Sequence, residues 1–167
     1  MSSFHEINFG GGALERGFWL YVWEVTPSKG SKLYYVGRTG DSSSLNAQSP
    51  FNRMGQHLGY AKKSCMLRTH LGKQKGTIKP EQCEFRLVAY GPILPEAKER
   101  KTHRDRRDRI AGVEKALADT MRESGYAVMN VVHSRKQPDA KLWQQVLKKF
   151  ERQFPKLKTD RRLIPAN

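Results

Sequence analysis

The sequence predicts a small α/β domain with a three-stranded, mainly antiparallel sheet flanked by helices. Two runs rich in aromatic and β-branched residues, at 18–25 and 32–38, are separated by a short polar turn and predict a hairpin. A third such run at 83–90 predicts another strand, and amphipathic segments between and after the strands predict the helices. The chain has 167 residues, of which 37% are hydrophobic, and this suffices for one compact domain.

The first two strands each carry a central tyrosine. Alternation along the first strand places Tyr21 on the same face as Trp19 and Trp23, and on the second strand it places Tyr35 with Gly37. The turn residues between the strands favour an antiparallel return. Whether both tyrosines share one face depends on the register, which this pattern leaves open.

A helix follows the polar loop at 39–47, with Ser49 as N-cap and Pro50 at the first helical position. Three apolar side chains at helical spacing would anchor this helix on the core: Phe51, Met54 and Leu58. Arg53 and His57 lie four residues apart, on a face roughly 110° from the apolar one. They are therefore expected to flank the core rather than enter it.

A long helix is predicted at 95–124, after the third strand ends at Gly91-Pro92. The first half of this helix is highly charged, and the second half has an apolar stripe formed by Ile110, Val113, Leu117 and Met121. Glu114 lies within the stripe, where a lone carboxylate is costly unless a cation meets it. Arg109 and Arg122 are candidates for that cation.

The remaining segments complete the organisation. An apolar run at 126–132 contains Asn130, and Pro138 introduces a last helix with a wide apolar face. We expect a flexible N-terminal arm at 1–16, where three consecutive glycines oppose regular structure. A core at 17–132 follows, with a C-terminal helix and basic tail at 133–167 packed on it.

The charge predicts a polyanionic partner. Thirty-one Lys and Arg residues against sixteen acids give a net charge of +15, more than solubility requires. Nucleic acid is the polyanion that such a field attracts most readily. Candidate phosphate contacts are basic residues at the end of the second strand, within 53–79 and at the start of the long helix: Arg38, Lys62, Lys63, Arg68, Lys73, Lys75, Arg104 and Arg107.

Other classes of protein fit the sequence poorly. No apolar run approaches the roughly 20 residues of a membrane span, and residues 1–12 lack the pattern of a secretory signal. Cys65 and Cys83 have neither C-x-x-C nor metal-ligand spacing, which predicts reduced thiols rather than a disulfide or zinc site. These features predict a cytoplasmic protein.

At this point the order of the residues resembles the GIY-YIG nucleases. The tripeptide at 19–21 (W-L-Y) resembles the first signature of that family, and 35–37 (Y-V-G) resembles the second. Trp19 stands where the first signature has glycine. Four later residues match the family's arginine, the histidine of its restriction-enzyme branch, its metal-binding glutamate and its closing asparagine: Arg53, His57, Glu114 and Asn130. The resemblance covers about residues 17–132.

The resemblance implies a GIY-YIG-like fold and metal-dependent hydrolysis of phosphodiester bonds in double-stranded DNA. Glu114 would hold one Mg²⁺ (or Mn²⁺), a hard cation suited to oxygen ligands. Arg53 would clamp the scissile phosphate, because its planar fork suits phosphate geometry. The site would lie on the sheet face that carries the two tyrosines.

The same resemblance implies roles for the remaining residues. Tyr21 would act as general base, which requires a lowered phenol pKa supplied by Arg53 and the metal. His57 is the competing base, since imidazole titrates near neutrality. Tyr35 would orient the water or the phosphate, and Asn130 would brace the site through hydrogen bonds.

A site-specific restriction-type endonuclease acting as a homodimer or homotetramer on DNA is the leading interpretation. A homing, repair or phage nuclease of the same family is the nearest alternative. The charge alone also permits a non-catalytic RNA- or ribosome-binding module, or a basic protein that meets an acidic partner. These last two predict no dependence on a metal ion.

Overall fold

A computed structural model describes residues 4–61 and 65–159. Three strands form one antiparallel sheet in the order β2-β1-β3, and they are β1 (Gly17–Pro27), β2 (Leu33–Arg38) and β3 (Cys83–Pro95). Four helices flank the sheet: α1 (Pro50–Leu58), α2 (Met66–Gly72), α3 (Arg100–Glu123) and α4 (Ala140–Phe150). The predicted α/β class with a small antiparallel sheet is confirmed. Within the described ranges, no helix has the length and apolarity needed to span a bilayer.

The register of the hairpin brings the two tyrosines to one face. Tyr21 pairs with Gly37 and Trp23 pairs with Tyr35 across β1 and β2. Since paired residues and those two positions away share a face, both phenols project to the same side of the sheet. The register left open by the sequence is thereby settled.

Each face of the sheet packs against its own pair of helices. The larger core lies against α3 and α4, and its buried side chains include Leu20, Val36, Ile110, Leu117, Val146 and Phe150. The smaller core lies against α1 and α2, and its buried side chains are Tyr21, Trp23, Val25, Tyr35, Leu67 and Leu71. The apolar face of α4 therefore points inward, as expected for a C-terminal helix packed on the domain.

The third strand does not end at Gly91-Pro92 as predicted, but continues to Pro95. Among the described residues β3 pairs with β1 alone and is an edge strand, so the missing N–H of Pro92 can face outward without breaking the ladder. Gly91 has φ 155°, and the indole of Trp19 lies 2.7 Å from where a Cβ would stand. The register between β1 and β3 shifts at this point, between Phe18 and Leu20. Because Pro95 still pairs with Gly17, α3 begins at Arg100 rather than at 95.

Helix α1 is rotated relative to the prediction. Phe51, expected to anchor the helix, is 37% exposed and contacts the ring of Phe9 at a centroid distance of 4.9 Å. Met54 and Leu58 do pack on the smaller core. His57, expected to flank the core, is only 1% exposed. The prediction that the Arg53/His57 face stays outside the core is therefore wrong for His57.

Candidate active site

Tyr21 occupies the centre of the candidate site. Its ring lies in the smaller core, and its Oη is 2.6 Å from His57 Nε2 and 3.4 Å from Arg53 Nε. Directly opposite, Gly37 leaves room for the phenol: a Cβ there would stand 2.6 Å from three atoms of the Tyr21 side chain. The glycine of the second tripeptide is thus required by the tyrosine of the first.

Helix α1 delivers Arg53 and His57 to this phenol. The helix begins at Pro50, and Ser49 Oγ accepts a hydrogen bond from the backbone N–H of Asn52 at 3.3 Å. One turn separates Arg53 from His57, so both reach the same oxygen from one helix face. The predicted cap and the predicted pair are therefore present in one short element.

Tyr35 lies beside the same histidine. Its ring centroid is 5.0 Å from that of His57 and 5.5 Å from that of His70, which comes from α2. Both imidazoles approach the phenol at steep or tilted angles, an arrangement typical of aromatic pairs. His70 is a further site residue that the sequence analysis did not place here.

Burial controls the titration of these groups. Burial raises the pKa of Tyr21 well above its usual range, and the nearby Arg53 only partly offsets this. Burial, with the negative charge of Glu114, raises the pKa of Tyr35 to about 12. Burial, with the positive charge of Arg53, lowers the pKa of His57 to about 4. Desolvation thus outweighs the guanidinium of Arg53 at Tyr21, and the lowering of this pKa expected from Arg53 together with a metal ion stays a prediction.

Glu114 meets its cation across the fold rather than along its own helix. Arg38 Nε donates to Glu114 Oε2 at 2.7 Å, and the two side chains are 15% and 13% exposed. Arg38 also donates through Nη1 to the carbonyl oxygen of Arg107 at 3.3 Å. Arg38 is therefore a positioning residue for Glu114 and α3 in this structure. The helix neighbours Arg109 and Arg122 pair instead with Asp139 and Asp119.

Burial nevertheless raises the pKa of Glu114 to about 7, because the positive charges of Arg38 and Arg53 offset only part of the cost of desolvating the carboxylate. The carboxylate also raises the pKa of both site phenols by its charge, which places it within electrostatic reach of them. It arrives from α3, which packs on the face opposite to the tyrosines. The two sets of residues meet around β2, the edge strand that ends at Arg38.

Asn130 holds the outer side of that edge strand. Its Nδ2 donates to the carbonyl oxygen of Val36 at 2.7 Å, and its Oδ1 accepts from the Val36 N–H at 3.0 Å. Tyr34 exchanges backbone hydrogen bonds of 2.9 and 2.8 Å with Ala127 and Met129. The side chain of Asn130 thus continues the row of hydrogen bonds that the backbone of Ala127 and Met129 makes with β2. It thereby fixes the strand that carries Tyr35 and Arg38.

Asp41 is a site residue that the sequence analysis missed. Its Oδ2 accepts from Arg53 Nη2 at 3.0 Å, and its charge raises the pKa of Glu114 and of Tyr35. A signal was present: Asp41 is the only acidic residue between Glu24 and Glu81. A solitary carboxylate in a strongly basic stretch is best explained by a specific partner.

The chemistry of the carboxylates fits a hard divalent cation. Glu114 is a desolvated carboxylate whose charge is incompletely compensated, and Asp41 lies within electrostatic reach of it. Residues 4–61 and 65–159 contain no cluster of three or more His, Cys, Asp or Glu side chains that could hold a metal ion. Mg²⁺ commonly uses one or two carboxylates and fills its shell with water and phosphate oxygens. Glu114 is the residue of this site that could hold Mg²⁺ or Mn²⁺, and its Oε2 already accepts from Arg38.

The candidate phosphate contacts divide into two groups. Lys73, Lys75 and Arg104 are exposed, whereas Arg68 and Arg107 pair with Glu81 and Asp108. Arg38 faces inward toward Glu114. Lys62 and Lys63 lie outside the described residues. The two cysteines are free thiols.

Comparison with known proteins adds no information on the function of this site. The chain matches no protein-family model, no curated protein and no solved structure. The functional conclusion therefore depends on the geometry of the site and the order of its residues.

Proposed function

We propose that this chain is a metal-dependent endonuclease that hydrolyses phosphodiester bonds in double-stranded DNA, with site-specific, restriction-type cleavage. The observation that carries the proposal is the hydrogen-bonded cluster of Tyr21, His57 and Arg53, with Glu114 in electrostatic reach of the phenol. A net charge of +15 supports a polyanionic substrate.

Arg53 binds the scissile phosphate in this proposal. Its guanidinium already holds an oxyanion, the carboxylate of Asp41, at 3.0 Å. A phosphate presents the same paired oxygens with a larger charge, so it can replace the carboxylate on the guanidinium. Asp41 then acts as a weak competitor that keeps Arg53 oriented before substrate arrives.

Tyr21 and His57 form a proton relay rather than rival bases. Tyr21 remains protonated because its pKa is raised, and Arg53 Nε donates toward its oxygen. We assign the single hydroxyl proton to the short hydrogen bond with His57 Nε2. As the attacking water gives a proton to Tyr21 Oη, the hydroxyl proton passes to Nε2 of the neutral imidazole. Tyr35, beside His57, orients the attacking water.

Glu114 would hold Mg²⁺ or Mn²⁺. When bound, such a cation stabilises negative charge that develops on the leaving oxygen. Arg38 keeps the carboxylate in place from the end of β2, and Asn130 keeps β2 in place. The chain thereby fixes the carboxylate from one face of the sheet and the phenols from the other.

Cleavage of both strands by such a site requires two copies or two successive events. A homodimer or homotetramer on a palindromic target is the symmetric solution. A homing, repair or phage nuclease would share the same chemistry. A non-catalytic RNA- or ribosome-binding module remains the alternative of a different class, supported by the charge alone.

The test is incubation of the protein with supercoiled plasmid and phage DNA in Mg²⁺, Mn²⁺ or EDTA. We expect discrete bands with either metal ion and intact DNA in EDTA. Glu114→Gln should abolish cleavage and retain DNA binding, because the amide can still accept from Arg38 but anchors a cation poorly. Glu123→Gln makes the same charge change at an exposed position of α3 and serves as the control.

Near-normal cutting by Glu114→Gln would reject the metal role. Uncut DNA under all conditions, together with retention of RNA, would support the binding module instead. A smear in place of bands would reject site specificity while preserving the hydrolytic assignment.

A further inference from the structure

A second basic site lies on α3, away from the phenols. A cavity of about 210 Å³ is lined by Ser43, Arg100, His103, Arg104 and Arg107. Three arginines share its wall because positions 100, 104 and 107 recur on one helix face. None of the lining residues is acidic.

The arginines of this cavity differ in whether an acidic side chain already pairs with them. Arg107 donates to Asp108, so its charge is partly compensated. Arg100 and Arg104 are exposed, and neither has an ion-pair partner among residues 4–61 and 65–159. These two guanidinium groups, one helical turn apart, attract an oxyanion such as phosphate, and each can donate a pair of hydrogen bonds to its oxygens.

His103 is fixed in the wall of the cavity by contacts with the rest of the fold. His103 is 2% exposed, and its Nε2 donates to the carbonyl oxygen of Ser42 at 3.0 Å. Its ring also contacts Phe18 at a centroid distance of 5.2 Å, which ties the wall to the larger core. Nδ1 is buried without a hydrogen-bond partner among the described residues. Because this nitrogen has almost no accessible surface, it lies within the wall rather than at the surface of the cavity.

The cavity is joined to the candidate active site. Arg38, which holds Glu114, also donates to the carbonyl oxygen of Arg107 in the cavity wall. Arg107 and Arg100 precede Glu114 by seven and fourteen residues, which is about 10 and 21 Å along a helix axis. One DNA strand advances about 3.4 Å per nucleotide, so this distance corresponds to roughly three to six nucleotides.

We propose that this cavity binds a backbone phosphate of the same DNA strand, about three to six nucleotides from the carboxylate of Glu114. The inference rests on the proposed function, because that function supplies the strand. Arg100 and Arg104 contact the phosphate oxygens, and Ser43 and the His103 ring close the pocket. Such a contact sets the position of the strand in the site without reading bases.

The first experiment measures binding without cleavage. The affinity of the Glu114→Gln protein for a random-sequence duplex is followed by fluorescence anisotropy in EDTA over a range of salt concentrations. Adding Arg100→Gln and Arg104→Gln together should reduce the slope of log Kd against log salt by about 1, because the cavity holds one phosphate. Arg135→Gln with Arg152→Gln removes the same charge from exposed positions elsewhere and should leave the slope unchanged.

A second readout reports on the cavity itself. The side-chain NMR signal of His103 is followed while the same duplex, or inorganic phosphate alone, is added. We expect both to shift the signal in the parent protein and in the control variant, and neither to shift it after the Arg100 and Arg104 substitutions. Thermal unfolding should be unaffected, since these two arginines have no ion-pair partner in the described chain.

An unchanged salt slope, or an equal reduction in the control variant, would overturn the proposal. A signal that responds to inorganic phosphate but not to duplex would also overturn it, because the cavity would then bind a small anion rather than a strand. Failure of the nuclease assignment is distinguishable, since cleavage would be absent while the duplex still shifted His103.

Discussion

The tightest test of the site geometry is Gly37→Ala. The added Cβ would stand 2.6 Å from Cε2, Cζ and Oη of Tyr21, whereas ordinary contacts begin at 3.4 Å. The phenol must therefore move by about 0.8 Å or the strands must separate. Because Tyr21 Oη is held at 2.6 Å from His57, movement of this size breaks the relay. We expect cleavage to fall on the order of 10²-fold and stability to fall by about 1–3 kcal/mol.

The assay is single-turnover nicking of supercoiled DNA at saturating protein, with thermal unfolding measured on the same preparations. Gly55→Ala, in the interior of α1, is the matched control, because no atom of the described part of the chain lies within 4 Å of its added Cβ. This control should gain about 0.5–1 kcal/mol of stability, since alanine favours the helix. It should retain full cleavage.

A second change separates packing from chemistry. Tyr21→Phe removes one of the three clashing atoms, so adding it to Gly37→Ala should restore part of the lost stability but none of the activity. A folded Gly37→Ala protein that cuts within threefold of the parent rate would refute the argument that this glycine exists to seat a reactive phenol.

Three further outcomes follow from the same contacts. Arg53→Ala should slow cleavage by about 10²-fold or more in single-turnover assays, as for other preorganised charge stabilisers, and a drop below tenfold would count against a phosphate clamp. Asp41→Asn should tighten DNA binding in EDTA by about two- to fivefold, because it frees Arg53 from a partly exposed ion pair; weaker binding would show that Asp41 aids substrate rather than competes with it. The native state keeps His57 neutral down to about pH 4, whereas the unfolded chain takes up the proton near 6.5. Stability should therefore decline as the pH falls from 6.5 to 4, by about 3 kcal/mol from this residue. Denaturant unfolding of His57→Gln should lose that dependence, and exposed His133→Gln should keep it.

The hairpin was predictable because its signals are local. Alternating aromatic residues and a polar turn specify β1 and β2, and Ser49-Pro50 specifies the start of α1. The end of β3 was not predictable, because a proline stops a central strand but not an edge strand, and the strand order is a tertiary property.

The ion-pair partners within the site could not be predicted from local sequence pattern either, because they too depend on the tertiary structure. Arg38 and Glu114 are 76 residues apart in sequence, so helical spacing around Glu114 pointed to the wrong arginines. The burial of His57 arises from the way α1 lies on the sheet, and it lowers the pKa of His57, whereas the burial of Tyr21 raises the pKa of its phenol. The types and the order of the site residues could be predicted from the sequence, but the extent of their burial could not.

The pairing at the outer side of β2 limits how copies of this chain can associate. Unpaired strand edges are the usual template for joining two sheets into one. Here the outward N–H and C=O groups of Tyr34 and Val36 are already taken up by the segment around Asn130. A continuous intermolecular sheet through β2 is therefore blocked at these residues. An assembly on DNA would have to bring its subunits together through helices, loops or the opposite margin at β3.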